Sequence, residues 1–130
     1  MNFEKSLGIT LPDDYKQFLL QNNGGYPSEE LVFTLDDSQS VLSHFYTLGL
    51  PTDDILSLEE CLKQFVVTRR IESNYLPIAD DAFGNQLCLR LSGREHGQVY
   101  FWDHEANEGK MTKIADSFTS FCQSLKVLDE

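Results

Sequence analysis

Apolar side chains recur with a helical period close to the start of the chain. Between Leu11 and Leu19 they fall on one side of a helix that we expect to span residues 12–22. Pro12 suits the first turn of that helix, because its missing N–H would have no partner there. The glycine pair at residues 24–25 then ends the helix, since glycine tolerates a left-handed cap.

Two strands and a second helix start follow. Residues 31–35 and residues 44–48 are short runs of apolar, aromatic and β-branched side chains, which predicts a strand at each. Ser57 and Glu60 have the spacing of a capping box, in which the serine hydroxyl accepts from the backbone N–H three residues on. The helix that begins there is expected to end near residues 72–74.

The second half of the chain changes to a period of two. Strands are predicted at residues 76–79, 86–91 and 98–102, and residues 110–113 are a candidate edge strand. A last helix is expected to have one apolar face, formed by Ile114, Phe118, Phe121, Cys122 and Leu125. Short turns between the strands favour antiparallel pairing. The predicted class is α+β, a mostly antiparallel five- to six-stranded sheet flanked by about three helices, in one domain over residues 1–130.

Charge is distributed unevenly along the 130 residues, which carry a net charge of −11. Residues 1–62 hold eleven acidic and two basic side chains, whereas residues 63–130 hold ten acidic and eight basic ones. Such a chain repels nucleic-acid phosphates and anionic lipid head groups, so neither is expected as a partner. It would attract a basic protein and accelerate the encounter, although a charge of this size also serves solubility alone.

The sequence lacks the features that direct a chain to a membrane or out of the cell. No apolar run reaches the roughly 18 residues that a spanning helix needs, and the first residues do not resemble a signal peptide. The expected compartment is therefore the cytoplasm. Cys61, Cys88 and Cys122 are odd in number and widely spaced, which argues against a disulfide framework or a zinc site. Each is expected to act as a small buried hydrophobe.

No nucleotide-binding, zinc-protease or serine-hydrolase motif occurs, so we expect no catalytic residue, no cofactor and no metal. Two clusters are nevertheless compatible with chemistry. Asp80, Asp81 and Asn85 could hold a hard cation, but the same residues are typical of a plain turn. Asp103 and His104 could act as an acid–base pair, yet successive strand residues point in different directions. An enzyme is therefore the weakest of the functional hypotheses.

Six acidic residues have no local structural explanation, unlike the acidic doublets at helix starts. They form three doublets in the more acidic half of the chain: Glu29 and Glu30, Asp36 and Asp37, and Asp53 and Asp54. All lie in predicted loops or at strand ends, where binding residues are frequent. We take these six as the candidate partner-binding residues. The alternative is that they are solvated loop residues.

Four segments of the chain carry a family resemblance. They are LPDDYKQFLL with the NNGG that follows it, LPIADDAFGNQLCL, GQVYFWDHE and IADSFTSF, which begin at residues 11, 76, 97 and 114. In this order they resemble the SUKH superfamily, domains related to the yeast cell-wall-synthesis regulator and to many bacterial immunity proteins. Residues 28–73 match only loosely, and a partner surface particular to this chain would fall there.

The resemblance implies a mixed sheet flanked by helices and a binding role. Bacterial members look like immunity proteins, which bind and neutralise a toxin, often a nuclease. We therefore expect stoichiometric binding to a basic toxin domain, and the charge of this chain suggests that its acidic half occupies a cleft built for phosphates. The yeast relatives suggest the alternative, a regulatory protein-interaction domain of the same fold that is unrelated to toxins. The oligomeric state is left open.

Overall fold

The computed structural model of the chain describes residues 2–22, 30–35, 38–47, 57–67, 71–104 and 111–127. Its helices are α1 (Asn2–Leu7), α2 (Asp13–Asn22), α3 (Leu58–Cys61), which continues as a π-helical turn (Leu62–Val67), and α4 (Phe118–Ser124). Its strands are β1 (Leu31–Leu35), β2 (Ser38–Phe45), β3 (Tyr75–Asp81), β4 (Gln86–Arg90), β5 (Val99–Trp102), β6 (Met111–Ala115) and β7 (Lys126–Val127).

The α+β class is confirmed, but the described residues form seven strands and four helices, more than the sequence predicted. The short elements α1 and β7 were not expected. Strand β2 begins at Ser38 and not at residue 44, because pairing with β1 overrides the weak strand propensity of its polar start. The second helix changes to π-helical bonding at Leu62, and residues 71–74 are not helical. Ile114 lies in β6, since Ser117 is the N-cap of α4.

The seven strands form one antiparallel sheet in the order β6-β5-β4-β3-β2-β1-β7. The sheet is strongly curled. Phe33 on β1 and Phe101 on β5 are four strands apart, which in a flat sheet would separate them by about 19 Å. Their ring centroids are only 6.0 Å apart. Curling brings the two edges of the sheet towards each other, and α4 crosses between them from β6 to β7.

Different helices cover the two faces of the curled sheet. Phe101 and Trp102 are successive residues of β5, so their side chains point to opposite faces. On one face Trp102 meets Phe65 of the π-helical turn, with ring centroids 5.6 Å apart. On the other face Phe33 joins Phe101 to Phe121 of α4, at a centroid distance of 6.0 Å. Both faces of the central strands β3 and β4 are consequently buried.

Helices α2 and α4 are joined by one carboxylate. Asp14 Oδ2 accepts hydrogen bonds from the backbone N–H of Thr119 at 2.9 Å and from its hydroxyl at 3.0 Å. Phe18 and Phe118 pack beside this contact with ring centroids 5.1 Å apart. Asp14 lies in the first turn of α2, and it also satisfies a free backbone N–H at the start of α4.

The carboxylate of Glu4 fixes the N-terminal segment. It is buried, accepts from the backbone N–H of Leu11 at 2.8 Å and pairs with Lys16 Nζ at 2.9 Å. The Leu11 N–H, and secondarily the Lys16 ammonium, hold the pKa of Glu4 below its ordinary value of 4.5. Glu4 of α1 therefore bonds both to the segment between the two helices, at Leu11, and to α2, at Lys16.

We expect Glu4→Gln to lower the free energy of unfolding at pH 7 by about 1 kcal/mol, since a charged acceptor is lost. The folded-state pKa of Glu4 is lowered, so its contribution is complete above the unfolded-state value and is lost as the pH falls through the folded-state value. The difference between wild type and variant should therefore shrink below pH 4.5. Urea unfolding from pH 3 to 7 measures it, with exposed Glu72→Gln as control. A difference that does not change with pH would contradict this role.

Candidate partner-binding surface

Three hairpin connections lie at one end of the sheet. Because neighbouring strands run in opposite directions, β1, β3 and β5 all end there, and Leu35 pairs with Ser38 at the first connection. We call this region the hairpin end and define it by its described residues, 38–41, 80–86 and 102–104. The surface that we consider for partner binding is formed by the turns at this end.

The β3–β4 turn is organised by the carboxylate of Asp81, which is 2% exposed. Asp81 Oδ1 accepts from the backbone N–H groups of Phe83 and Asn85, each at 2.9 Å. Asp81 Oδ2 accepts from the Ser40 hydroxyl at 2.7 Å and from the Asn85 side-chain amide at 3.1 Å. Gly84 completes the turn with a φ of +85°, a conformation that L side chains rarely adopt.

These four bonds confirm the turn interpretation of Asp80, Asp81 and Asn85. Both Asp81 oxygens are occupied by protein donors, whereas a hard cation would need several oxygens turned towards it. Within the part of the chain that the structure describes, no three His, Cys, Asp or Glu side chains are grouped as metal ligands.

Asn85 joins the β3–β4 turn to the beginning of the β5–β6 connection. Its Oδ1 accepts from the backbone N–H of His104 at 3.1 Å and lies 2.6 Å from His104 Nδ1. The His104 ring also lies over Gly84, where an added Cβ would stand 3.7 Å from the ring. The imidazole is thus oriented by an amide and by packing, and the two turns form one unit.

Phe83 projects from this unit and is 70% exposed. Sequence reasoning placed the residue in a turn but did not single it out as functional. The signal was available, because a large aromatic residue stands between Asp81 and Gly84, where turn chemistry favours small or polar side chains. An exposed aromatic on an ordered turn is the type of side chain that anchors protein interfaces.

Acidic side chains accompany Phe83 at the hairpin end. Asp80 and Asp103 are half-buried there, and the described residues of this end include no lysine or arginine. Arg90 is the last residue of β4, at the opposite end of that strand, and Arg94 follows it. This end of the described structure is therefore acidic, and it offers a basic partner both charge complementarity and an apolar contact.

Only one of the six predicted partner-binding residues can be placed. Glu30 is exposed and directly precedes Leu31, which pairs with Leu42, and Leu42 in turn pairs with Asp81, so the start of β1 lies about two strand spacings, about 10 Å, from Asp81. The other five lie outside the described residues: Glu29, Asp36, Asp37, Asp53 and Asp54. Asp36 and Asp37 directly follow Leu35, the last residue of β1 at the hairpin end. A binding role for the six residues stays a prediction.

Comparison with known proteins decides the family. Residues 2–124 match the model of the SMI1 / KNR4 family (SUKH-1). The chain belongs to the SUKH-1 family. A SPbeta prophage-derived uncharacterized protein of Bacillus subtilis (strain 168), YokK, is 31% identical over 143 aligned residues, which cover 94% of this chain and 70% of the relative. No solved structure gives a significant match.

This SUKH-1 chain also has a groove of about 360 Å³ between α2 and α4. Its floor is apolar, formed by Phe18, Phe118 and Cys122, and its rim carries the amides of Gln17, Gln21 and Gln123 beside Asp14 and Thr119. The groove is of a size and polarity suited to a small organic group or an apolar side chain.

A polar row runs across the face of the SUKH-1 sheet that packs under α3. Cross-strand pairing places His44, Asp80, Gln86 and Trp102 side by side, and His44 Nδ1 lies 3.2 Å from Asp80 Oδ1. Burial raises the pKa of Asp80, and the nearby His44 charge opposes this rise. Tyr46 donates its hydroxyl proton to Gln86 Oε1. Side-chain contacts in this row therefore link β2 to β3 through His44 and Asp80, and the Tyr46 hydroxyl bonds to Gln86 on β4.

The cysteines of this SUKH-1 chain agree with their expected structural role. Cys61 and Cys88 are fully buried, whereas Cys122 is half-buried in the α2–α4 groove. Burial raises the pKa of the Cys61 thiol to about 12 and that of Cys122 to about 11. Both thiols are protonated at neutral pH and are poor nucleophiles.

None of the helices described for this chain has the length and apolar character that crossing a lipid bilayer requires.

Proposed function

We propose that this SUKH-1 chain is an immunity protein that binds a basic bacterial toxin domain one to one and so neutralises it. The observation that carries the proposal is the hairpin end, which combines exposed Phe83 on an ordered turn with acidic side chains and no lysine or arginine among its described residues. Family membership and the net charge of −11 agree with it. The Bacillus subtilis relative is described as prophage-derived, which fits competition between strains.

In this proposal the chain neutralises the toxin by occupying the surface with which the toxin binds its substrate. A nuclease carries a basic cleft for the phosphates of its substrate, and an acidic protein can occupy such a cleft. Long-range attraction accelerates association, while a small number of desolvated anchor residues determines how slowly the complex dissociates. The reaction is binding alone and needs no catalytic group on this chain.

The acidic doublets give this mechanism a kinetic test. We expect Asp36→Asn with Asp37→Asn to slow association with the toxin domain by about five-fold at low salt and to weaken its salt dependence. Asp53→Asn with Asp54→Asn should act in the same direction. The dissociation rate should change little. Surface plasmon resonance at two salt concentrations measures both rates.

A control with the same change in net charge is available away from these doublets. Glu72→Gln with Glu95→Gln removes two exposed carboxylates and should slow association less than either doublet variant. If the doublet variants left both the association rate and its salt dependence unchanged, the acidic-surface part of the mechanism would be wrong. Equal effects of doublets and control would mean that net charge acts without a defined surface.

The function itself is tested by protection in cells. The protein encoded by the gene adjacent to that of this chain is expressed with and without the chain, and growth is followed. We expect this protein to arrest growth and the chain to restore it. Unrelieved arrest, together with recovery of a host regulator bound to the chain, would favour the regulatory interaction domain instead.

A further inference from the structure

Phe83 differs from the other phenylalanines of the chain. All nine lie within the described residues; seven are buried, Phe18 is half-buried in the α2–α4 groove, and Phe83 is 70% exposed. Leaving a phenylalanine ring in water forfeits the favourable free energy of its burial. The exposed ring therefore does not contribute this free energy of burial to the stability of the folded chain. A second molecule could bury it.

The turn that carries Phe83 is held in one conformation. Besides the four bonds to Asp81, the Ala82 N–H donates to Val41 O at 2.9 Å, the Gly84 N–H donates to Asp81 O at 3.3 Å, and Gln86 Nε2 donates to Gly84 O at 3.3 Å. A partner that buries the ring therefore does not have to order the backbone first. Such pre-organisation increases affinity, because less conformational entropy is lost on association.

The fold uses the backbone of Phe83 but does not need its ring. The turn is closed by the Phe83 N–H and by neighbouring groups, and these bonds would form with any L residue at this position. An alanine at position 83 should thus leave the turn intact. A role of the ring in binding can consequently be separated from a role in folding.

The surroundings of the ring indicate the chemistry of its partner. Asp103 is half-buried at the same end of the sheet, Asp80 pairs there with His44, and the hairpin end, as far as it is described, has no lysine or arginine. A pocket that accepts the ring would be apolar at its base and would meet the Asp103 carboxylate at its rim. Lysine and arginine side chains complement such a rim and also interact favourably with an aromatic face.

We propose, on the basis of the toxin-binding function above, that Phe83 is the anchor of the complex and enters an apolar pocket rimmed by lysine and arginine on the basic toxin domain. Anchors of this kind are aromatic, central and surrounded by polar contacts that exclude water. Phe83 then determines how long the complex lives, and the carboxylates around it determine how fast it forms.

The test measures binding of the purified protein encoded by the adjacent gene, the expected toxin, to wild type, Phe83→Ala, Phe83→Tyr and Leu20→Ala. We expect Phe83→Ala to raise Kd by about 50-fold, mainly through faster dissociation and with an unchanged salt dependence. Phe83→Tyr should retain binding within about five-fold. Leu20→Ala, which truncates a side chain that is 67% exposed on α2, should bind like wild type.

The melting temperatures of all three variants should equal that of wild type. Any loss of binding is then caused by the missing contact with the toxin domain and not by unfolding. Binding of Phe83→Ala that matches wild type overturns the anchor and leaves the immunity function standing. A loss in Leu20→Ala as large as that in Phe83→Ala overturns the anchor too, because the effect would not be specific to the hairpin end. Absence of wild-type binding overturns both the function and the anchor.

Discussion

Phe33→Ala is expected to lower the free energy of unfolding by about 4 kcal/mol. The side chain is 1% exposed and lies where the curled sheet closes on itself. Its ring is 6.0 Å from that of Phe101 across the curl and 6.0 Å from that of Phe121 on α4. Truncation removes apolar contacts with a distant strand and a helix at once, and the surrounding sheet is too constrained to fill the cavity.

Chemical denaturation of wild type and variant measures this loss. Thr34→Ala is the matched control, because the residue is the next one on β1, is exposed and points to the opposite face. We expect the control to change the free energy of unfolding by less than about 0.5 kcal/mol. A decrease of less than about 1 kcal/mol in the free energy of unfolding of Phe33→Ala would contradict the idea that this ring stabilises the curled form of the sheet.

Asp81→Ala is expected to lower the free energy of unfolding by about 3 kcal/mol, the second-largest effect. The substitution removes a buried charged acceptor of four hydrogen bonds, which join β2, the turn and Asn85. Water can reach the released backbone N–H groups because the turn is at the surface, and this limits the loss. The turn that presents Phe83 should loosen at the same time.

Two measurements separate these consequences. Denaturation gives the stability, with Asp116→Asn as control because that carboxylate is exposed and forms a surface ion pair with Lys113. Hydrogen exchange reports on the turn, where the amides of Phe83 and Asn85 should lose protection in Asp81→Ala. If both amides kept wild-type protection, the carboxylate would not be what holds the turn.

Elements with a strong local pattern could be predicted from the sequence. Helix α2 starts within one residue of its expected position, and β1 has its expected bounds. The capping box also forms, with the Glu60 N–H donating to Ser57 Oγ at 3.1 Å. In each case neighbouring residues alone favour the observed structure, so the local sequence is sufficient to predict it.

Elements that depend on distant contacts could not be predicted. Helix α1 has six residues, too few to be stable alone, and the Glu4 carboxylate fastens it to Leu11 and Lys16. Strand β7 has two residues and is defined by its pairing with β1. The change to π-helical bonding after Cys61 does not alter the spacing of apolar residues along the sequence, so that spacing could not reveal it.

The candidate surface was predictable only in part for the same reason. The turn at residues 80–85 and its neighbouring strands could be predicted, but the exposure of Phe83 depends on how the curled sheet and its helices arrange themselves around it. The acidic doublets are visible in the sequence as charge, yet charge alone does not say which of them share a surface. Glu30 illustrates this, because its distance from the β3–β4 turn follows from the pairing of Leu31 with Leu42 and of Leu42 with Asp81, and not from its charge.

The measurement that tests the central claim most directly is a titration of toxin activity with the purified chain. The protein encoded by the adjacent gene, which we expect to be the toxin, is assayed at a fixed concentration well above the expected Kd, and the chain is added in fractions of an equivalent. We predict that residual activity falls linearly and reaches zero at one equivalent, as one-to-one occupancy requires. Unaltered activity at several equivalents would contradict the account, and so would complete inactivation by a small fraction of an equivalent, since that would require turnover.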